Sequence, residues 1–283
     1  MASRPKTLWA AVAPVVVGTA IAARGGQFRP AVAAAIVAAA LLIQVGANLA
    51  NDVYDFLRGA DTTGRLGPDR VTQQGLLKPK QVKRGMVFCF GAAITIGFYL
   101  AWVGGWPIVA IGLISIGAAI AYVGGPWPFG YYGLGDLMVF LFFGIIAVGG
   151  TVYLHTDGFA ATSLWGGIPM GAVVTAILIV NNIRDLETDQ QTGKLTLAVR
   201  LGIKGARLEY VGMMIIAYCV PVVYMLVHGN AEPVLLPLIT LPMAWRNVRE
   251  LYGIDGKALN ATLARTAQLT FLYGLLFSLG LVL

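Results

Sequence analysis

This chain of 283 residues predicts an all-α polytopic membrane helical bundle of about nine transmembrane helices. Hydrophobic residues make up 58% of it and charged residues only 12%, a balance too apolar for a soluble domain of this length. Apolar stretches near the roughly 20 residues needed to cross a bilayer recur nine times along it.

The first stretch, 8–24, follows only MASRPKT and has no small-residue cleavage site, so it reads as a span and not as a signal peptide. Stretches 31–57 and 83–103 flank the loop 58–82. Stretches 107–124, 134–154 and 163–184 follow, and the loop 190–207 leads into 208–228. The eighth stretch, 233–246, is short and carries Pro233, Pro237 and Pro242, so a kinked or tilted helix is expected there. Residues 262–283 close the chain. Gly and Ala throughout the first, second, fourth and sixth stretches permit close helix approach, although such residues are more often ordinary packing. No extramembrane domain interrupts the pattern, and residues 1–283 read as a single transmembrane domain. Cys89 and Cys219 lie far apart inside spans with no CxxC, so both read as structural. His155 and His228 fall near outer helix ends and are assigned no catalysis.

Charge placement gives the orientation. Of the 20 Lys and Arg, all but Arg24 and Arg29 fall at alternate junctions on one side. By the positive-inside rule that side is cytoplasmic, which puts the N-terminus inside and, with nine spans, the C-terminus outside an inner (cytoplasmic) membrane. The net charge of +7 is then partly topological and is no sign of nucleic-acid binding.

Two polar stretches stand out at the ends of apolar runs, NLANDVYDF at 48–56 and NNIRDLETD at 181–189. In each an Asn precedes an Asp by four residues, Asn51 with Asp55 and Asn181 with Asp185. On a helix, Gln44, Asn48, Asn51 and Asp55 fall within a stripe of roughly 60°, with Asp52 at its margin. Asn181, Asp185, Asp189 and Thr192 fall within roughly 80°. Carboxylates one turn apart on a single face repel, and an arrangement used twice suggests a bound cation. Hard oxygen ligands of this kind suit Mg²⁺ and the phosphates that accompany it. The ordinary alternative is a solvated helix end, but Asn and Gln deeper in an apolar span need a polar neighbour.

The loops that follow supply the opposite charge. Residues 58–84 hold Arg58, Arg65, Arg70, Lys78, Lys80, Lys83 and Arg84 against Asp61 and Asp69, while Arg184, Lys194 and Arg200 surround the second stretch. Acid for metal beside base for phosphate fits a diphosphate, whose growing charge on departure needs both. Lys80, Lys83, Arg84, Lys204 and Arg207 are read as positive-inside anchors. Arg70, Lys78, Arg184 and Lys194 are read evenly between anchor and phosphate contact. A diphosphate head site inside an apolar bundle implies a hydrocarbon tail, the form of a polyprenyl diphosphate. Ionising an allylic diphosphate requires a dry channel, because water would quench the carbocation.

NDVYD followed by Asp61, and NNIRDLETD with its downstream GK, resemble the two aspartate-rich motifs of the UbiA superfamily of intramembrane prenyltransferases. SRPKTLWAAVAPVVVGTA at 3–20, NLANDVYDFLRGADT at 48–62, AYVGGPWPFGYYGLGD at 121–136 and NNIRDLETDQQTGKLTLAVRLG at 181–202 resemble the branch that prenylates 1,4-dihydroxy-2-naphthoate in menaquinone synthesis. The resemblance implies a cytoplasmic-side active site in which Asn51, Asp52, Asp55, Asp61, Asp185 and Asp189 hold Mg²⁺. The step from Asp55 to Asp61 is two residues longer than that common in the 4-hydroxybenzoate branch. Tyr122 matches a family tyrosine, but the lysine that often follows it is missing, since residues 123–135 contain no Lys or Arg. Arg4, Lys6, Arg70 or Lys78 are expected to compensate.

The implied reaction is electrophilic aromatic substitution on the dihydroxynaphthoate ring, with release of carbon dioxide and diphosphate to give demethylmenaquinol. Asp55, Asp185 and Asp189 would drive departure of the diphosphate, and Asn48, Arg184 and Lys194 would bind substrate. Tyr54 and Tyr122 could face the cation, or serve as interface aromatics. Asp136 could accept a ring proton or cap its helix. Another aromatic acceptor, homogentisate or 4-hydroxybenzoate, would keep the same metal site. An ion-coupled transporter would place its acids near mid-membrane on broken helices, which the helix-end positions here disfavour.

Overall fold

The computed structural model describes residues 4, 7–60, 66–67, 70–229 and 232–283. Lys6 and Asp61, both expected at the site, lie outside the described residues.

All nine apolar stretches are helical. In chain order the helices are α1 (Trp9–Arg24), α2 (Pro30–Leu57), α3 (Pro79–Gly104), α4 (Trp106–Ala121), α5 (Gly135–Thr156), α6 (Leu164–Arg184), the short α7 (Leu186–Gln191), α8 (Leu197–His228), α9 (Leu241–Gly253) and α10 (Leu259–Val282). Among the described residues, six of these segments are long and apolar enough to cross a membrane, and α1 and α4 are shorter apolar helices. The protein is an integral membrane protein. Exposed Phe88, Phe98, Trp102, Trp106 and Leu226 give it an apolar outer surface suited to lipid.

Three elements differ from the expected pattern. The eighth stretch is a 3₁₀ segment, Glu232–Thr240, that runs into α9, and its prolines explain the tighter winding because they remove amide donors. Helix α8 starts at Leu197, eleven residues before its apolar run, and bends at Gly202, whose φ of 68° only glycine takes easily. Helix α5 contains a π-helical turn, Phe140–Ile146, which widens it where Phe142, Phe143 and Ile146 face the interior cavity.

Helix α6 is the central element, with most of its length buried. It packs against α5, α8 and α10, and α1 in turn lies on α10 and α5. A large apolar core joins α1, α6, α8 and α10, while a second joins α2, α3 and the segment around Val123. A third joins α1, α2, α3, α4 and α5 through Val15, Ile36, Leu100, Ile108 and Leu154, and residues of all three line the cavity described below. The α5–α6 crossing is close enough that a side chain at Gly144 would meet the Gly167 carbonyl and lie 2.7 Å from the Gly171 Cα.

Gly144→Val is expected to destabilise the bundle by about 1–3 kcal/mol, because overpacking forces the backbones apart. The check is a thermal unfolding midpoint in detergent beside Gly91→Val, a position with open space around it that should stay near wild type.

Candidate active site

The C-terminal half of α2 carries the first acid set. Asn48, Asn51 and Asp55 lie on one face and line a cavity of about 900 Å³. Asp52, one residue beyond Asn51, is turned roughly 100° around the helix and points elsewhere. Its carboxylate accepts the backbone N–H of Val71 and of Thr72, both at 3.2 Å. That fastens the loop after α2 and delivers Arg70 to the cavity. Arg70 is buried, donates to the Asn51 carbonyl, and reaches Asp55 Oδ2 at 2.7 Å.

The second set forms where α6 stops. Asp185 leaves helical geometry at φ −95° and ψ 8°, and α7 restarts the chain so that Asp189 follows one turn later. Arg184 is 2% exposed and grips this break from three directions. Its Nε and Nη2 donate to the two Asp185 oxygens at 2.8 and 2.5 Å, Nη2 also to Asn181 Oδ1 at 2.8 Å, and Nη1 to Asn260 Oδ1 of α10 at 2.9 Å. Asn260 donates onward to the Leu66 carbonyl at 2.8 Å, tying α10 to the loop after α2. The Lys194 ammonium lies 3.7 Å from Asp189 Oδ1.

Both acid sets face the same cavity. Asn51, Asp55, Asp185 and Asp189 line its polar head with Arg4, Arg70, Arg184 and Lys194. Its remainder is apolar, bounded by residues such as Ile36, Ile108, Phe142 and Leu154, which lead toward the opposite end of the bundle. The volume lies within the range of sites that enclose most of a ligand.

Tyr131, which the sequence did not single out, joins the sets. Its hydroxyl donates to Asp55 Oδ1 at 2.7 Å, its carbonyl accepts Leu195 N–H at 3.0 Å, and its ring carries Arg58 and Lys194 at 5.5 Å. A tyrosine in an aromatic loop offers no periodic signal, so only the fold reveals it. Burial first, and then the Asp55 carboxylate, push its phenol well above the ordinary range. That phenol therefore stays protonated throughout the neutral range. Tyr122 lines the same cavity.

Four expected residues do not reach the cavity. Asp52 holds the loop, as above. The Tyr54 ring packs beside Gly124. Lys78 is exposed at the start of α3, where its backbone N–H donates to Gln81 Oε1. Asp136 is buried in the first turn of α5, behind Tyr122, and caps nothing; neither carboxylate oxygen has a hydrogen-bond partner among the described residues.

Among the described residues, no group of three or more acids, histidines or cysteines is drawn together tightly enough to hold an ion. Each cavity acid instead meets a base: Asp55 with Arg70, Asp185 with Arg184, and Asp189 with Lys194. The Asn51 Oδ1 is buried beside Asp55 with no hydrogen-bond partner among the described residues. An amide oxygen and carboxylates are the hard donors that Mg²⁺ takes, so the residues present suit that ion.

The model of the UbiA prenyltransferase family matches residues 11–275. The chain belongs to that family. It is 32% identical over 290 residues to the 1,4-dihydroxy-2-naphthoate octaprenyltransferase of Haemophilus influenzae, covering 99% of this chain and 94% of the relative. The enzyme of the same name from Mycobacterium tuberculosis is 38% identical, over 86% and 82% of the two chains. Among solved structures, a UbiA homolog from Aeropyrum pernix K1 superposes with a TM-score of 0.74 at 14% identity, covering 95% of this chain and 96% of that one. Another from Archaeoglobus fulgidus, bound to DMAPP and Mg²⁺, has a TM-score of 0.63 at 16% identity over 98% and 97%. The UbiA fold is thus shared across distant members.

Asp52→Asn weakens the acceptor for two loop amides. Limited proteolysis of this variant is expected to cut within residues 70–78 several times faster than wild type, with the Mg²⁺ requirement for activity unchanged. A raised Mg²⁺ requirement with normal loop protection would instead make Asp52 a ligand.

Proposed function

We propose that this UbiA-family protein transfers a prenyl chain from a polyprenyl diphosphate to 1,4-dihydroxy-2-naphthoate, releasing carbon dioxide and diphosphate and forming demethylmenaquinol. The observation that carries the reading is one cavity with two acid sets at its head and an apolar body behind them. A polyprenyl diphosphate has the same division of charge and grease. The acceptor is supported by relatives bearing that activity's name across nearly the whole chain.

Asn51, Asp55, Asp185 and Asp189 would hold Mg²⁺, which when bound supplies positive charge against the diphosphate oxygens. Arg70 and Lys194, with Arg4 beside them, add fixed or tethered cations that favour the departing diphosphate over the bound ester. Arg184 keeps Asp185 in place through its fork of donors. The apolar walls exclude water while the allylic C–O bond breaks. The Tyr122 ring, at the cavity wall, presents a π face to the cation that develops. The ring carbon bearing the carboxylate attacks the allylic carbon. Cleavage of the bond to that carboxylate then returns its electron pair to the ring, so carbon dioxide leaves and aromaticity is restored without net proton loss.

The bundle is proposed to cross an inner membrane nine times, with its N-terminus and the acid sets on the cytoplasmic side and its C-terminus outside. Arg24 and Arg29 support this, since they lie at the α1–α2 turn, at the opposite end of α2 from Asp55.

Purified protein incubated with labelled farnesyl or geranylgeranyl diphosphate, dihydroxynaphthoate and Mg²⁺ should form labelled demethylmenaquinol, and a chelator should stop it. Homogentisate and 4-hydroxybenzoate should give little product; preference for either would overturn the acceptor. Asp55→Asn and Asp185→Asn should each lower turnover on the order of 10²–10³-fold in protein that still elutes as a folded species. Near-normal turnover in either would remove that residue from the ligand set.

A further inference from the structure

Three of the bases at the cavity head are held in different ways. Arg184 is locked by Asp185, Asn181 and Asn260 together. Arg70 is buried and bonded to both the Asn51 carbonyl and the Asp55 carboxylate. Lys194 combines a fixed backbone with a loosely held head. Its N–H donates to the Asp189 carbonyl at 2.8 Å, and the next residue's N–H donates to the Tyr131 carbonyl at 3.0 Å. Its ammonium, by contrast, lies 3.7 Å from Asp189 Oδ1, beyond the length of a charge-assisted hydrogen bond. The same ammonium rests over the Tyr131 ring, whose hydroxyl is bonded to Asp55, and it lines the cavity.

We propose that Lys194 is an exchangeable counter-ion: it pairs with Asp189 until a divalent cation takes that carboxylate, then turns from the same anchored backbone to the diphosphate. This rests on the prenyl diphosphate reading of the cavity. An ammonium and a divalent ion compete for one carboxylate, since each is held by the same negative charge and repels the other. A polyanionic head in the cavity gives the ammonium a new partner and ends the competition. Metal and diphosphate therefore bind together more tightly than either alone, and each raises the affinity of the other by the same factor. Lysine suits this role because its charge is compact and sits on a flexible four-carbon stem, whereas the planar guanidinium of Arg184 is fixed by its own fork.

The test follows Mn²⁺ binding to the full-length protein in detergent by electron paramagnetic resonance, with and without inorganic diphosphate. In wild type, diphosphate should tighten Mn²⁺ roughly tenfold or more. In Lys194→Gln, Mn²⁺ alone should bind about fivefold tighter, diphosphate should bind more weakly, and the coupling should shrink about fivefold to the part due to direct attraction between the ion and the diphosphate. A lysine that merely supports the loop would weaken both ligands when removed, so the opposite signs are the signature. Lys194→Arg offers a charged replacement should Gln fail to fold: its bidentate hold on Asp189 should make Mn²⁺ alone bind more weakly than in wild type. Mn²⁺ affinity that is unchanged or weaker in Lys194→Gln, or unchanged in Lys194→Arg, would overturn the exchange while leaving the site reading intact. Wild-type protein that binds neither Mn²⁺ nor diphosphate would overturn the site reading itself.

Discussion

Three carboxylates facing one largely apolar cavity impose the constraint around which this molecule is organised. Left alone, each would carry a desolvation cost of several kcal/mol and repel the others. Each therefore has a base brought to it by a different local device. Arg70 comes from the loop fastened by Asp52, Arg184 from the residue next to Asp185, and Lys194 from the turn after α7. The basic residues that cluster beside both acid stretches in the sequence are, at these three points, built into the site.

The fold serves that arrangement by bringing two distant helix ends to one place. Helix α6 is buried on nearly every side, so the position of its C-terminus is fixed by α5, α8 and α10. Helix α2 packs chiefly on α3 at its acidic end and shares a further apolar core with α1, α4 and α5, and the cavity is lined from all of these. Two bridges tie the elements together at the cavity's polar end: Asn260 reaching from α10 to Leu66, and Tyr131 linking Asp55 to the segment after α7. Dry walls and a charged head follow from the same geometry, which is what ionising an allylic diphosphate requires.

Much of this could be read from the residues. Apolar run length located the nine expected helical stretches but not the short polar α7, because a bilayer sets a minimum that few soluble segments meet. The four-residue step from Asn51 to Asp55 placed both on one face, and the same logic linked Asp185 to Asp189. It was less informative where the backbone departs from a continuous helix. Asp185 sits at a break, the apolar run of α8 hides eleven helical residues that carry Arg200, Lys204 and Arg207, and the π turn in α5 leaves no pattern of its own. Side-chain direction was harder still. Asp52 differs from Asn51 by one position but serves the loop instead of the cavity, and Tyr131 gains its importance only from long-range contact with Asp55. Lys78, grouped with the phosphate contacts by charge alone, points away because it starts α3.

The central claim is that the two acid sets act on one ligand. Anomalous diffraction from crystals grown with Mn²⁺ and an unreactive allylic diphosphate analogue tests it most directly. The account predicts metal peaks in the cavity head, between Asp55 on one side and Asp185 with Asp189 on the other, and a diphosphate touching both groups through them. Metal bound at one set alone, with the diphosphate outside the space they share, would contradict it.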